Sequence, residues 1–352
     1  VNSDSRRVPA VDLQAFIARS FTAIGISAPE SASIAELMTR ADVNGADGHG
    51  VFRLPQYIRR IKGGAVNIKP AIRIVRDAPG MALVDGDNGM GHLVMRFAAE
   101  KAIEKAKTAG TAWVGVMASN HAGPASLYAS MPIAHDMIGV YLAVGNANHL
   151  AAWGGLDMLL STNPIAVGVP AGEEPPIVLD MATTVAAYGK VKTSAQRGEA
   201  MPEGWMIDRE GRPLTDPKRA NEGLLLPIGG YKGYGLALVF GLLAGTLNGA
   251  AMGRDVVDFN NDDTSPTNTG HVIVAINVAM FRGLNEFKMS VDQLIRDIRN
   301  SKRLPGVDAI RLPGEQSHAK RAEHLRLGIP MPEPLLQSLA KLAAELKIAP
   351  LG

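Results

Sequence analysis

Residues 112–124 read Ala112-Trp113-Val114-Gly115-Val116-Met117-Ala118-Ser119-Asn120-His121-Ala122-Gly123-Pro124. An apolar run rich in valine gives way to small and polar residues, then to a proline that opens a helical pattern, so the stretch predicts a strand, a turn and a helix in succession. The same texture extends outward from it. Strands are expected at 72–75, 82–85, 112–117, 138–144, 177–179 and 271–276, with helices at 93–109 and 124–134 between them, the alternation of an α/β core. Residues 234–247 are apolar nearly all round, which predicts a helix buried on most sides near the centre of that core.

Toward both ends the pattern turns purely helical. Leu13, Phe16, Ile17 and Phe21, then Ile34, Leu37, Met38 and Ala41, then Leu54, Tyr57, Ile58 and Ile61 recur at helical spacing, closed by Gly25, Gly45 and Gly63-Gly64. Helical stripes return at 291–298 and 335–346. None of these can cover its apolar face alone, so residues 1–74 and 290–352 are expected to form one helical lobe beside a sheet domain at 75–289. Residues 259–269, rich in Asn, Asp and Pro, read as an exposed loop.

Composition narrows the class. Of 352 residues, 46% are hydrophobic and 20% charged, the balance of a globular chain. The 36 basic residues face 34 acidic ones, which gives no reason to expect a nucleic-acid partner. The patch Arg59, Arg60 and Lys62 reads as a solvated helix face. With no cysteine, disulfides, thiolate metal sites and a cysteine nucleophile are excluded. The polar opening Val1–Arg7 lacks a signal-like apolar stretch, and the most apolar run, 235–245, is too short to span a bilayer, so a cytoplasmic setting is expected.

Five segments carry chemistry. Asp47-Gly48-His49-Gly50-Val51-Phe52-Arg53 places an imidazole four residues before a guanidinium at the head of the third helix, which suits a carboxylate lying next to a carbonyl. The plainer reading is a histidine at a helix start and an arginine on its wet face. Ser119 to Pro124 forms a strand-to-helix turn where backbone amides can meet a phosphate, or simply a connection. Asp180, in Leu179-Asp180-Met181-Ala182, could orient a histidine or cap the next helix, and Ser161-Thr162-Asn163-Pro164 lies at another strand end. Gly229-Gly230-Tyr231-Lys232-Gly233-Tyr234-Gly235 sets a lysine at a helix start, where a cation makes most sense with an anion such as a pyrophosphate present. It is not a P-loop, and no G-x-G-x-x-G appears anywhere, so a Rossmann site is not supported. The remaining histidines, 92, 135, 149, 271, 318 and 324, show no zinc spacing and read as structural or surface residues, so no metal is expected.

Taken in order, these segments resemble the malate/L-lactate dehydrogenase family that is unrelated to the Rossmann-type enzymes of similar name. Ala41-Asp42, Asp47 to Val51, Arg53, Ser119 to Gly123, Thr162 to Pro164, Leu179 to Thr183, Gly189 to Val191, Pro202 to Trp205, Asp208, Gly211, Gly230 to Gly235 and Pro313-Gly314-Glu315 carry the resemblance across nearly the whole chain. It implies a large mixed β-sheet with a non-Rossmann nucleotide-binding fold, a helical lobe from both termini, and a homodimer with its active site between lobes. It further implies an NAD- or NADP-dependent oxidoreductase moving a hydride to or from C2 of a small 2-oxo or 2-hydroxy acid, or of a cyclic imine. Substrates of that kind include malate, lactate, sulfolactate, ureidoglycolate, keto-sugar acids and piperideine-2-carboxylate.

By the same resemblance the cofactor falls to His121, Ala122, Gly123, Pro124, Ala125, Asp180, Met181, Ala182, Lys232, Gly233, Gly314 and Glu315. Arg53 and Thr162 would hold the substrate, and His49 would be the acid/base with support from Asp180, or His121 in its place. Gly48 departs from the serine usual before the histidine, which bears on the substrate more than on the reaction. A lyase or hydratase using the same His and Arg without a nucleotide is the competing enzyme, and a catalytically dead acid-binding protein is a third reading. Cofactor binding separates them.

Overall fold

The computed structural model describes residues 6–352, apart from the side chains of Thr193, Gln196 and Arg197; the first five residues of the polar opening lie outside it. β1 (Arg6–Val8) pairs antiparallel with β13 (Ile329–Met331), so the two ends of the chain meet. Beside them α1 (Ala10–Ala23), α2 (Ala28–Val43) and α3 (Leu54–Lys62) share one apolar core with α10 (Glu333–Leu346), built from Phe16, Ile17, Ile34, Ile58, Leu339 and Leu342 among others. Local sequence sets the starts. Ser27 accepts from the amide of Glu30 and donates to its carboxylate, an N-cap that fixes the first turn of α2.

The central layer is a seven-stranded mixed sheet. Its order is β2 (Arg73–Ala78), β3 (Met81–Asp85), β4 (Thr111–Ser119), β12 (Thr269–Asn277), β5 (Met137–Ala143), β8 (Ile165–Val169) and β9 (Ile177–Met181). Within it β3 and β4 run parallel, joined by the crossover helix α4 (Gly91–Ala109), and the other neighbours are antiparallel. Neither the order nor the sense is that of a doubly wound dinucleotide sheet. The six expected strands are all present, each within a few residues of its expected bounds. β8 was not expected, because Ile-Ala-Val-Gly-Val between Pro164 and Pro170 is too short to declare a period.

Small accessories complete the chain: the hairpin β6 (Leu150–Ala151) with β7 (Met158–Leu160), α5 (Ser126–Ala129), α6 (Tyr188–Arg197), the pair β10 (Met206–Ile207) with β11 (Leu224–Leu225), and α7 (Tyr231–Ala244). α8 (Leu284–Asn300) and α9 (Glu315–Leu327) follow. α8 is fastened to the turn between β8 and β9: Asp292 accepts from the amides of Gly172 and Glu173 at 2.9 and 2.8 Å, and Arg296 and Arg299 pair with Glu174.

Four expectations change. The helix expected over 124–134 is one turn, α5, followed by a 3-10 turn at Pro132–His135, because Pro132 has no amide to continue the ladder. α7 is not buried on most sides: Gly233, Ala237, Gly241 and Ala244 form its inner stripe, while Leu236, Val239 and Leu242 remain 40%, 49% and 44% exposed. The 259–269 segment is not simply an exposed loop, since Phe259, Thr267 and Thr269 are buried. Arg60 is buried rather than solvated, and donates to the carbonyls of Asp262 and Ser265, so helix α3 and that loop are locked together.

Candidate active site

The segment 47–53 turns tightly before α3 instead of starting it: Val51–Arg53 is a 3-10 turn and the α-helix begins at Leu54. The one-face helical argument for His49 and Arg53 therefore does not apply, yet the two still interact. Asp42 of α2 anchors the turn by accepting from the Val51 amide at 2.8 Å, and a side chain at Gly50 would collide with that carboxylate. Arg53 Nε donates back to the Gly48 carbonyl at 3.0 Å, and its Nη1 donates to Gln56 at 2.7 Å and to Asn260 at 3.3 Å. Gly48 itself is exposed, and a Cβ built there meets nothing within 4 Å.

The His49 ring lies over that of His121, centroids 5.5 Å apart and planes 9° from parallel, and His121 stacks in turn on Phe259 at 4.9 Å. Tyr57 from α3 places its hydroxyl 2.5 Å from His121 Nδ1, and the Gly123 amide faces the same nitrogen at 3.4 Å. A backbone amide can only donate, so Nδ1 accepts, Tyr57 donates, and the His121 proton sits on Nε2. Burial pushes the His49 imidazole down to about 4, with the Arg53 charge adding to it. His121 is held well below the usual histidine range by burial and then by His49 and Arg53. Nδ1 of His49 is buried with no hydrogen-bond partner among the described residues.

Behind this pair stands His92, fully buried, neither nitrogen with a hydrogen-bond partner among the described residues, its basicity lowered to about 3 by burial and the charge of Arg96. Beside Arg53, Asn260 Oδ1 accepts from Lys192 of α6 at 3.2 Å as well as from Arg53 itself. His149 stacks on Tyr188 at 3.9 Å, and Lys192 sits over the Tyr188 ring. His271, by contrast, belongs to the core, bonded to Tyr141, and His318 and His324 bond to the carbonyls of Pro176 and Asp42.

The expected cofactor residues follow one another across the sheet edge. His121 to Ala125 leads into α5, whose Ser126 amide donates to Asp180 at 2.9 Å. Asp180 thus anchors α5 and bonds to neither His49 nor His121. Farther up the same strand the Val178 amide donates to Pro313 at 3.1 Å, bringing Gly314 and Glu315 against β9, with Gly314 in the left-handed region at φ +91°. Past Met181 and Ala182, Thr183 donates to the Thr162 carbonyl at 2.9 Å and accepts from the Ile228 amide at 3.0 Å; Ile228 in turn accepts from Gly233. Lys232 is exposed at the head of α7.

Sequence reasoning missed Tyr57, Gln56, Phe259, Asn260 and Lys192 as site residues, and set aside His92 and His149. Phe259 offered one signal, an aromatic residue alone at the edge of a polar loop. Gln56 lies only three residues from Arg53, whereas Tyr57, Lys192 and Asn260 are joined to their partners across about 60 to 200 residues of chain.

On this fold two half-buried imidazoles stack beside a guanidinium, and known relatives identify the family. The malate/L-lactate dehydrogenase family model matches residues 8–340. Malate dehydrogenase of Pyrococcus horikoshii is 37% identical over 352 residues, covering 97% of this chain and 96% of its own. L-sulfolactate dehydrogenase of Methanocaldococcus jannaschii is 39% identical over 291 residues, 83% of each chain. The solved structure of the Pyrococcus horikoshii malate dehydrogenase superposes with a TM-score of 0.91 at 34% identity, over 99% of this chain and 98% of that one. The chain belongs to the malate/L-lactate dehydrogenase family, whose members are NAD(P)-dependent 2-hydroxy acid dehydrogenases and imine reductases.

Proposed function

We propose that the chain interconverts a small 2-hydroxy acid and its 2-oxo acid at the His49, His121 and Arg53 cluster, using NAD or NADP. The observation that carries this reading is the stacked imidazole pair set against an arginine with no carboxylate partner among the described residues. The bound nicotinamide would supply or take up the hydride at C2. Residues 121–125, 180–182, 232–233 and 314–315 would hold it, and they suit it: left-handed glycines at 123 and 314 let backbone approach closely, and Lys232 stands exposed where an anion would offset the helix start.

Arg53 would grip the C1 carboxylate, with Thr162 nearby. We assign His49 the proton and His121 the hydrogen bond. The Gly123 amide can only donate toward Nδ1 of His121, so a proton added there would face another N–H, and this ring stays neutral and presents Nε2–H to the substrate oxygen. His49 has no such obstacle. Asp180 would then serve the cofactor side through the start of α5. The lyase reading lacks any comparable support in the glycine and lysine turn.

We further take the chain as two lobes, 1–74 with 290–352 and 75–289, in a cytoplasmic homodimer. The uncovered apolar face of α7, without a charge between Gly233 and Leu247, supports a second copy of the chain as its cover. No helix among the described residues is long and apolar enough to cross a membrane. The test is absorbance at the nicotinamide band: NADH or NADPH is consumed with at least one of a panel of 2-oxo acids and cyclic imines. No consumption with either cofactor across the panel overturns the reading.

A further inference from the structure

Two cations meet at one neutral atom. Asn260 Oδ1 accepts from Arg53 Nη1 at 3.3 Å and from Lys192 Nζ at 3.2 Å, so the two donors are at most about 6.5 Å apart, the two distances laid end to end. Neither cation forms an ion pair among the described residues, and Arg53 spends its other bonds on the Gly48 carbonyl and the Gln56 amide oxygen. Asp258, the carboxylate that acts on Lys192, is committed to amides: it accepts from the Asn260 backbone and side chain and from the Asn261 side chain. Lys192 is held in place from below by the Tyr188 ring, itself stacked on His149. Burial and the Arg53 charge both lower the Lys192 ammonium, with Asp258 opposing them.

A protein gains nothing by gathering two like charges on a shared amide oxygen unless an anion joins them. One carboxylate needs only Arg53. We propose that Lys192 is a specificity-determining residue that binds a second anionic group on the substrate, so that this site takes dianionic acids carrying a carboxylate or sulfonate on the carbon beyond C2. The inference rests on the hydride-transfer reading above. In such an acid the C1 carboxylate occupies Arg53, the C2 oxygen faces the imidazoles, and the second anion lies two carbons from the first, within the span of the two cations. Tyr188 and His149 are then positioning residues for Lys192.

The test compares oxaloacetate and 3-sulfopyruvate, each dianionic, with pyruvate, which has one charge. The wild-type enzyme favours the dianions in kcat/KM. Lys192→Met, which keeps the length of the side chain without its charge, lowers kcat/KM for the dianions by about ten- to a hundredfold, mostly through KM, and changes pyruvate by less than twofold. Lys192→Arg restores the preference. If oxaloacetate responds and sulfopyruvate does not, the second group is a carboxylate; the converse makes it a sulfonate. Thermal-shift titration supplies a readout without turnover, since succinate stabilises wild type more than propionate does and the margin vanishes in Lys192→Met. Equal losses on pyruvate and the dianions, or no loss on either dianion, overturns the role of Lys192 while leaving the dehydrogenase reading standing. A wild-type enzyme that reduces none of these acids brings down both.

Discussion

The heads of α3 and α7 are both approached through glycine-containing turns, and they end in opposite states. At the head of α3 almost every polar group is spoken for inside the chain: Asp42 holds Val51, Arg53 holds Gly48, Gln56 donates to the Phe259 carbonyl at 2.7 Å, and Tyr57 holds His121. At the head of α7, Lys232 is exposed and the outer face of the helix offers leucine and valine to water. On the proposed reading of the site, one half is assembled by folding alone, whereas the other half is completed by what binds to it.

The largest effect expected from breaking this contrast is at Arg53. Arg53→Ala removes the charged hydrogen bonds to the substrate carboxylate and lowers kcat/KM by about 10²–10³-fold, while far-ultraviolet circular dichroism is unchanged. A retained kcat/KM would take Arg53 out of the site.

Acid separates the two heads next, because His49 and the buried His92 lie beside the head of α3 and no histidine lies on α7. His49 and His149 titrate near 4 and His92 near 3 in the folded chain, against about 6.5 when unfolded. Below pH 6.5 the unfolded chain takes up protons that the folded one refuses, so stability is complete above that value and falls as pH drops toward 4. His92 alone accounts for about 2 kcal/mol of this at pH 5. His92→Leu flattens the fall of Tm between pH 7 and 5; an unchanged slope would show that His92 carries none of it.

The α7 face gives the third test. Val239→Glu places a charge in the proposed dimer contact and shifts sedimentation from dimer to monomer, by about 2 kcal/mol or more of association free energy. Persistence of the same assembly would put the contact elsewhere. Tyr57→Phe sharpens the reading of α3: losing one neutral hydrogen bond to His121 costs about tenfold in kcat with little change in cofactor KM. Gly48→Ser comes last, with Tm shifted by no more than about 1 °C because a Cβ there meets open space. A large destabilisation would mean that the glycine serves the fold instead of the substrate.

The sheet and the terminal helices were legible because apolar period survives in single segments, and the ends of α1 to α3 carry ordinary stop glycines. The Asp47 to Arg53 and Ser119 to Pro124 motifs were legible because small residues cluster around polar ones at element ends. Lys192 and Asn260 were not, since what defines them is mutual proximity across 68 residues. Tyr57 was read as part of a core stripe, correctly for its ring, and its hydroxyl was invisible to a count of apolar positions. α7 misled for the opposite reason: hydropathy reports what a surface needs and not whether this chain supplies it.

The zipper of β1 against β13 has a consequence for biosynthesis. Val8 is fully buried in a core that also needs Ile329 and Leu339. During synthesis the apolar stripe around Val8 therefore stays uncovered until Ile329 and Leu339 have been translated, and chaperones that guard nascent chains would have that interval in which to find it.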